Sequence, residues 1–305
     1  MQGKPQDCMK VGIIHFMAFP NTIKGEGPIV ETLEKICNDK YFQAVELTHI
    51  KDPAVRKKAI KVVKGAGLTV GFGAQPIILI NKLNLNSSDA AERRKAVNGV
   101  KSGIDEAYEW GAAGLAVLSG PVPAPDRITA EKDLLADSLK QLCAYSRSTG
   151  DMPILLETFD RKPYGKNCLI GPTTDAVDVA EAVAADFPSF GLMLDLSHMP
   201  LLEETCDQML RTPGKRLKHI HIGNCVMTDK SHPAYGDGHP RFGVAGGEND
   251  VGELAEFLSV LKDIGYIGKG KQNIVSFEVK PYGDETPEDV IQNAKDTLEA
   301  AWQKV

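Results

Sequence analysis

The amino-acid sequence predicts an α/β fold, a single (β/α)8 barrel spanning residues 1–305. Three observations carry this expectation. Eight short apolar runs alternate with eight helical patterns, start and stop residues stand at the boundaries, and four runs in the second half each end on a metal-ligand residue type. With 42% hydrophobic and 25% charged residues the chain can bury a large core. No linker or compositional break divides it, so one domain is expected.

In chain order, the strand candidate at 10–16 is followed by a helical pattern at 28–38. The run 42–48 leads to the helix 53–65, opened by Asp52-Pro53 and closed by Gly65. The run 68–74 precedes the helix 89–109, with Ser88-Asp89 at its start and Gly111 past its end. The run 114–118 precedes the helix 129–149, begun by Thr129 and stopped by Gly150. Then come the pairs 153–157 with 172–186, 191–195 with 203–210, and 217–222 with 250–264, the last bounded by Asn249-Asp250 and Gly265. The final strand, 273–279, is followed by the helix 286–303 behind Thr286-Pro287. Most runs lack strict polar alternation, as parallel strands covered on both faces do. A right-handed crossover repeated eight times closes the barrel.

Composition narrows the partners. Lys and Arg total 35 against 41 Asp and Glu, a formal charge of −6, which argues against nucleic acid and favours a small neutral ligand. The cysteines at 8, 37, 143, 168, 206 and 225 are scattered without a CxxC pair. Neither a disulfide framework nor a cysteine zinc site is indicated, and a reducing cytoplasm is the expected setting. No window approaches the roughly 20 apolar residues of a membrane span. The apolar run 11–19 contains His15 and no cleavage site follows it, so a soluble, unprocessed protein is expected.

The four strand ends are Glu157, Asp195, His221 and Glu278. In a parallel barrel the C-terminal strand ends converge on one face, so these residues become neighbours around an ion. Counting back by two puts Leu155, Met193, His219 and Ser276 on the same inward face, beneath the site. Three carboxylates and one imidazole suit Mn2+, Mg2+ or Co2+ better than a thiolate-rich zinc site. An ion on a sugar ketone would acidify the proton on the next carbon, and Glu157 and Glu278 would flank that carbon as acid and base, or act as ligands only. His198, three residues past Asp195, either binds a substrate hydroxyl or satisfies loop backbone groups. His15 and Glu46, ending the first two strands, are expected on the opposite substrate wall, while His219 and Trp110 read as core.

Two connections exceed what a barrel needs, 158–171 and 223–249. The second holds His232, Tyr235, His239, Arg241 and Phe242 among glycines and prolines, and an ordered substrate wall over the active-site face is expected. His239 and Arg241 are its candidate substrate contacts; Arg241 otherwise makes a surface ion pair.

The segments Leu155-Leu156-Glu157, Leu194-Asp195-Leu196-Ser197-His198, His219-Ile220-His221-Ile222-Gly223 and Phe277-Glu278-Val279 resemble the xylose-isomerase-like superfamily of sugar isomerases and epimerases, over essentially the whole chain. The resemblance implies a ligand set of Glu157, Asp195, His221 and Glu278. By analogy with its ketose 3-epimerases, it also implies an acid–base role for the two glutamates and substrate contacts from His198 and Arg241. The chain departs from many members at Gly223-Asn224-Cys225, where they carry an aspartate. The inserted loop, with Thr158-Phe159-Asp160-Arg161-Lys162 and Leu169-Ile170-Gly171-Pro172, is similar to the large subunit of bacterial C-glycoside deglycosidases. That narrower resemblance implies manganese, a lyase cleaving 3-oxo-glycosides, and a small β-sandwich partner subunit. A homo- or hetero-oligomer is expected. The alternatives are a ketose 3-epimerase or aldose–ketose isomerase, an endonuclease on the same barrel, which would need more histidines and a basic groove, and a non-catalytic sugar-binding subunit.

Overall fold

A computed structural model describes residues 3–161 and 164–305. Lys162 and Pro163, within the expected long loop 158–171, lie outside the described residues. Eight parallel strands close into a barrel in sequence order: β1 (Lys10–Ile14), β2 (Ala44–Leu47), β3 (Thr69–Gly73), β4 (Leu115–Leu118), β5 (Ile154–Glu157), β6 (Gly191–Asp195), β7 (Leu217–Gly223) and β8 (Ile274–Glu278). Register places the candidate residues at one end, with Asp195 opposite His221 and Gly223 opposite Glu278.

The described helices are α1 (His15–Ala18), α2 (Ile29–Asn38), α3 (Pro53–Ala66), α4 (Gln75–Ile80), α5 (Ala90–Trp110), α6 (Ile128–Arg147), α7 (Thr173–Ala184), α8 (His198–Leu202), α9 (Cys206–Arg211), α10 (Val251–Asp263) and α11 (Pro287–Trp302). Several of their starts follow from side-chain capping of orphan N–H groups. Asp52 accepts from Ala54 N and Val55 N ahead of α3, and Asp89 from Ala91 N and Glu92 N ahead of α5. Thr286 and Asp289 exchange bonds in a capping box that opens α11.

The core lies between strands and helices. Outward strand residues such as Val45, Phe72, Leu156, Leu194 and Phe277 join the helices' buried faces in one cluster. Inside the barrel Ala116, Leu155 and Met193 form a separate small cluster. Glycines and alanines on that inner surface leave a cavity of about 310 Å³ at the lower end, reaching up to Glu46 and His219.

Three local expectations need correction. The first strand stops at Ile14, and the chain turns directly into α1. That turn sends His15 outward, its Nε2 2.8 Å from Thr32 Oγ1 of α2, instead of onto the substrate wall. The helix expected at 203–210 starts later, as α9, because Glu203 adopts a left-handed conformation (φ 57°) that ends the preceding α8, and Thr205 caps α9 through Gln208. The helix α4, within the connection after β3, was not anticipated; Pro76 in its first turn starts it.

Candidate metal centre

Glu157, Asp195, His221 and Glu278 each offer an atom within 4.8 Å of the others at the upper end of the barrel. Each is aimed by its neighbours. Gln75 Nε2 donates to Glu157 Oε2 at 2.7 Å, leaving Oε1 bare. Ser197 donates from its backbone N to Asp195 Oδ1 (2.8 Å) and from its hydroxyl to Oδ2 (2.6 Å). His221 Nδ1 lies 2.8 Å from Glu278 Oε2 and 3.7 Å from Glu157 Oε1, in a geometry that makes a hydrogen bond with neither. Burial of such unpaired atoms is costly unless something else satisfies them.

Two more imidazoles border the quartet. His198, fully buried at the start of α8, has Nδ1 3.9 Å from Glu157 Oε1. His239 has Nδ1 3.7 Å from Asp195 Oδ2 and Nε2 3.3 Å from Glu278 Oε1. One oxygen of Asp237 faces both rings, 3.0 Å from His198 Nε2 and 2.7 Å from His239 Nε2, and its other oxygen pairs with Lys166. The Nδ1 atoms of His198, His221 and His239 are all buried without a hydrogen-bond partner. A converging set of bare nitrogens and carboxylate oxygens is what a dication requires, so these residues fit one.

The long loop 223–249 supplies two of these groups because it is internally tied. Buried Asn224 accepts from Cys225 N and Asn249 N and donates to Arg241 O, while Asn249 donates to Gly223 O and Leu196 O. His239 sits at φ 54°, a strained conformation for a residue with a Cβ, and Gly223 makes room beside it: a Cβ there would fall 2.5 Å from Glu278 O and 3.3 Å from His239 Nδ1.

Charge in the metal-free centre is balanced by protons. Burial lowers the pKa of the His198 imidazole, but the carboxylates of Asp237, Asp195 and Glu157 outweigh it and hold the value at about 10. His221 is raised well above its ordinary value in the same way, against burial, by Glu46, Glu157 and Glu278. Burial, reinforced by Glu278, pushes the Asp195 carboxyl up against the pull of the histidines.

A family model described as the xylose isomerase-like TIM barrel matches residues 37–301. The chain belongs to this family. No curated protein matches it. Among solved xylose isomerase-like barrels and other structures, it is similar to a D-tagatose 3-epimerase-like protein (TM-score 0.72, 18% identity, 97% of this chain and 98% of that one). It is similar to the IOLI protein with a bound zinc atom (0.72, 18%, 97% and 99%) and to the 3-keto-D-glucoside 4-epimerase from E. coli (0.64, 16%, 97% and 99%).

In this xylose isomerase-like barrel two further residues expected at the substrate have other bonding partners. Arg241 points away from the centre; its Nε donates to Glu285 Oε1 at 2.9 Å and its side chain is 39% exposed. Two residues along, the chain has turned outward beyond His239. Glu46, expected on the substrate wall, bonds instead to His219 and His221 beneath the mouth, although it still borders the cavity. His198 and His239 both stand beside the quartet. The sequence reading missed Gln75, Lys166 and Asp237; a glycine-flanked acid two residues before His239 was the available signal for the last.

Proposed function

We propose that the chain is a divalent-metal-dependent sugar epimerase or isomerase in which Glu157 and Glu278 move a proton at the carbon beside a ketone. The observation that carries this is the pair of glutamates, each with one bare buried oxygen, meeting across His221 and Asp195. Held by Glu157, Asp195, His221 and Glu278, a dication would polarise the sugar carbonyl and acidify the adjacent C–H. The oxygen-rich set suits Mn2+, Mg2+ or Co2+. Gln75 anchors Glu157 so that only Oε1 is free to take a proton, and Glu278 returns one from the other side. His198 and His239 each present an unpaired Nδ1 as a hydrogen-bond partner for substrate oxygens, and Lys166 donates from the cavity wall. The solved relatives named for epimerases support this reading.

A second reading, cleavage of a 3-oxo-glycoside, is favoured by one observation. The cavity of about 380 Å³ has an apolar side made by Phe16, Met17, Pro20, Ile23, Leu79 and Ile80, more than a free hexose needs. Leu79 and Ile80 are 41% and 51% exposed, so a bound apolar group would cover them. The first step is the same, with the proton passing to a glutamate. The bond to the group on the next carbon then breaks, and that group leaves with the electron pair. A small β-sandwich partner subunit belongs to this reading.

The test is to incubate the Mn2+-treated protein in deuterated water with D-tagatose, D-fructose and an oxidised aryl glucoside. Deuterium beside the carbonyl with a sugar isomer supports the first reading, and a released aryl group supports the second. No deuterium and no product, with metal bound, would sink both.

A further inference from the structure

We propose that Glu46 is a positioning residue of the metal centre, a buried carboxylate that decides which nitrogen of His221 faces the other ligands. This rests on the metal-dependent reading above. Glu46 is 3% exposed and reaches from β2 across the barrel to β7. Its Oε2 lies 3.1 Å from His221 Nε2, and its Oε1 lies 2.7 Å from His219 Nε2. An ionised carboxylate only accepts, so both imidazoles donate their Nε2–H to it. With Nε2 of His221 committed downward, Nδ1 is left bare among Glu157 Oε1, Glu278 Oε2 and Asp195. A carboxylate on the far nitrogen fixes the ring's tautomer and orientation and makes the near nitrogen a stronger donor to a cation.

Two neighbours hold Glu46 in that pose. His219 occupies its other oxygen, so the carboxylate cannot swing away without orphaning a buried imidazole. Gly71, on the adjacent strand, provides the space: a Cβ there would lie 2.9 Å from Glu46 Cγ and 3.2 Å from its Cδ and Oε2. Alanine at 71 would therefore shift the carboxylate while keeping its charge.

The test is Mn2+ affinity of the full chain, measured by competition with a chelating indicator, for wild type, Glu46→Gln, Gly71→Ala and Glu106→Gln. Glu106 is the control, another buried carboxylate against an imidazole (His49 Nδ1, 2.6 Å) but away from the centre. Glu46→Gln should weaken Mn2+ about 10–100-fold. Gly71→Ala should weaken it less, and Glu106→Gln should bind like wild type whatever its stability. In the Mg2+-loaded wild type, imidazole 15N shifts should report a protonated Nε2 on His221. That spectrum and Gly71→Ala carry the test if Glu46→Gln does not fold. Wild-type Mn2+ binding with an unchanged Glu46→Gln affinity, an equal loss in Glu106→Gln, or the opposite tautomer overturns the role of Glu46 alone. A wild type that binds no Mn2+ overturns the metal reading with it.

Discussion

Loading the centre with a dication should expel protons. Against burial, Glu46, Glu157 and Glu278 raise the His221 imidazole well above its ordinary value, and Asp237, Asp195 and Glu157 hold His198 at about 10. Coordination needs a bare Nδ1, so at least the His221 proton must leave. Both groups have folded pKa values raised above their ordinary range, so the competing proton is fully present below that value and lost above it. Affinity therefore rises with pH. One displaced proton gives about tenfold per pH unit, or about 1.4 kcal/mol, and therefore about 100-fold between pH 6 and pH 8. If His198 also loses its proton, the same interval gives about 10⁴-fold. Titration calorimetry of Mn2+ at pH 6, 7 and 8, in two buffers of different ionisation enthalpy, reads the number directly. A value between one and two is expected. Equal heats in both buffers together with a pH-independent affinity would refute this account of the charge balance.

Burial alone pulls His15 down to about 3, and its ring contacts Thr32 instead of a carboxylate. Its folded value lies below the unfolded one, so its contribution is intact above about pH 6.5 and is lost as pH falls from there towards 3. At pH 5 the loss is about 2 kcal/mol, and His15→Gln, which keeps an N–H donor, should show that much less acid destabilisation in urea unfolding; identical pH profiles would contradict this. Glu157→Gln and Glu278→Gln should each lower turnover by about 10²–10⁴-fold, checked by product formation under saturating metal, and activity within tenfold of wild type would remove the acid–base assignment. Gly223→Ala places its Cβ against Glu278 O and should cost about 1–3 kcal/mol of stability, measured by denaturant unfolding; an unchanged midpoint would mean the loop yields freely.

The barrel was legible because its strands are buried on both faces and flanked by caps that work locally. Asp52, Asp89 and Thr286 bond the N–H groups their sequence positions imply. The quartet was legible for the same reason: strand parity is a fixed period, so an inward Leu155 makes an inward Glu157. Loops have no period. His239 and Arg241 stand two residues apart in one segment, yet one enters the centre and the other pairs with Glu285, and the difference lies in a left-handed turn at His239 that neighbouring residue types do not announce. Glu46 was placed at the right end of the right strand, but its partners His219 and His221 are more than 170 positions away, a distance over which local pattern says nothing.

The ion pair between Lys166 and Asp237 ties the two long connections together, since the lysine comes from the one after β5 and the aspartate from the one after β7. The same carboxylate aligns the rings of His198 and His239. Because one carboxylate serves all three contacts, losing it would uncouple the two connections and free both imidazole rings in a single step.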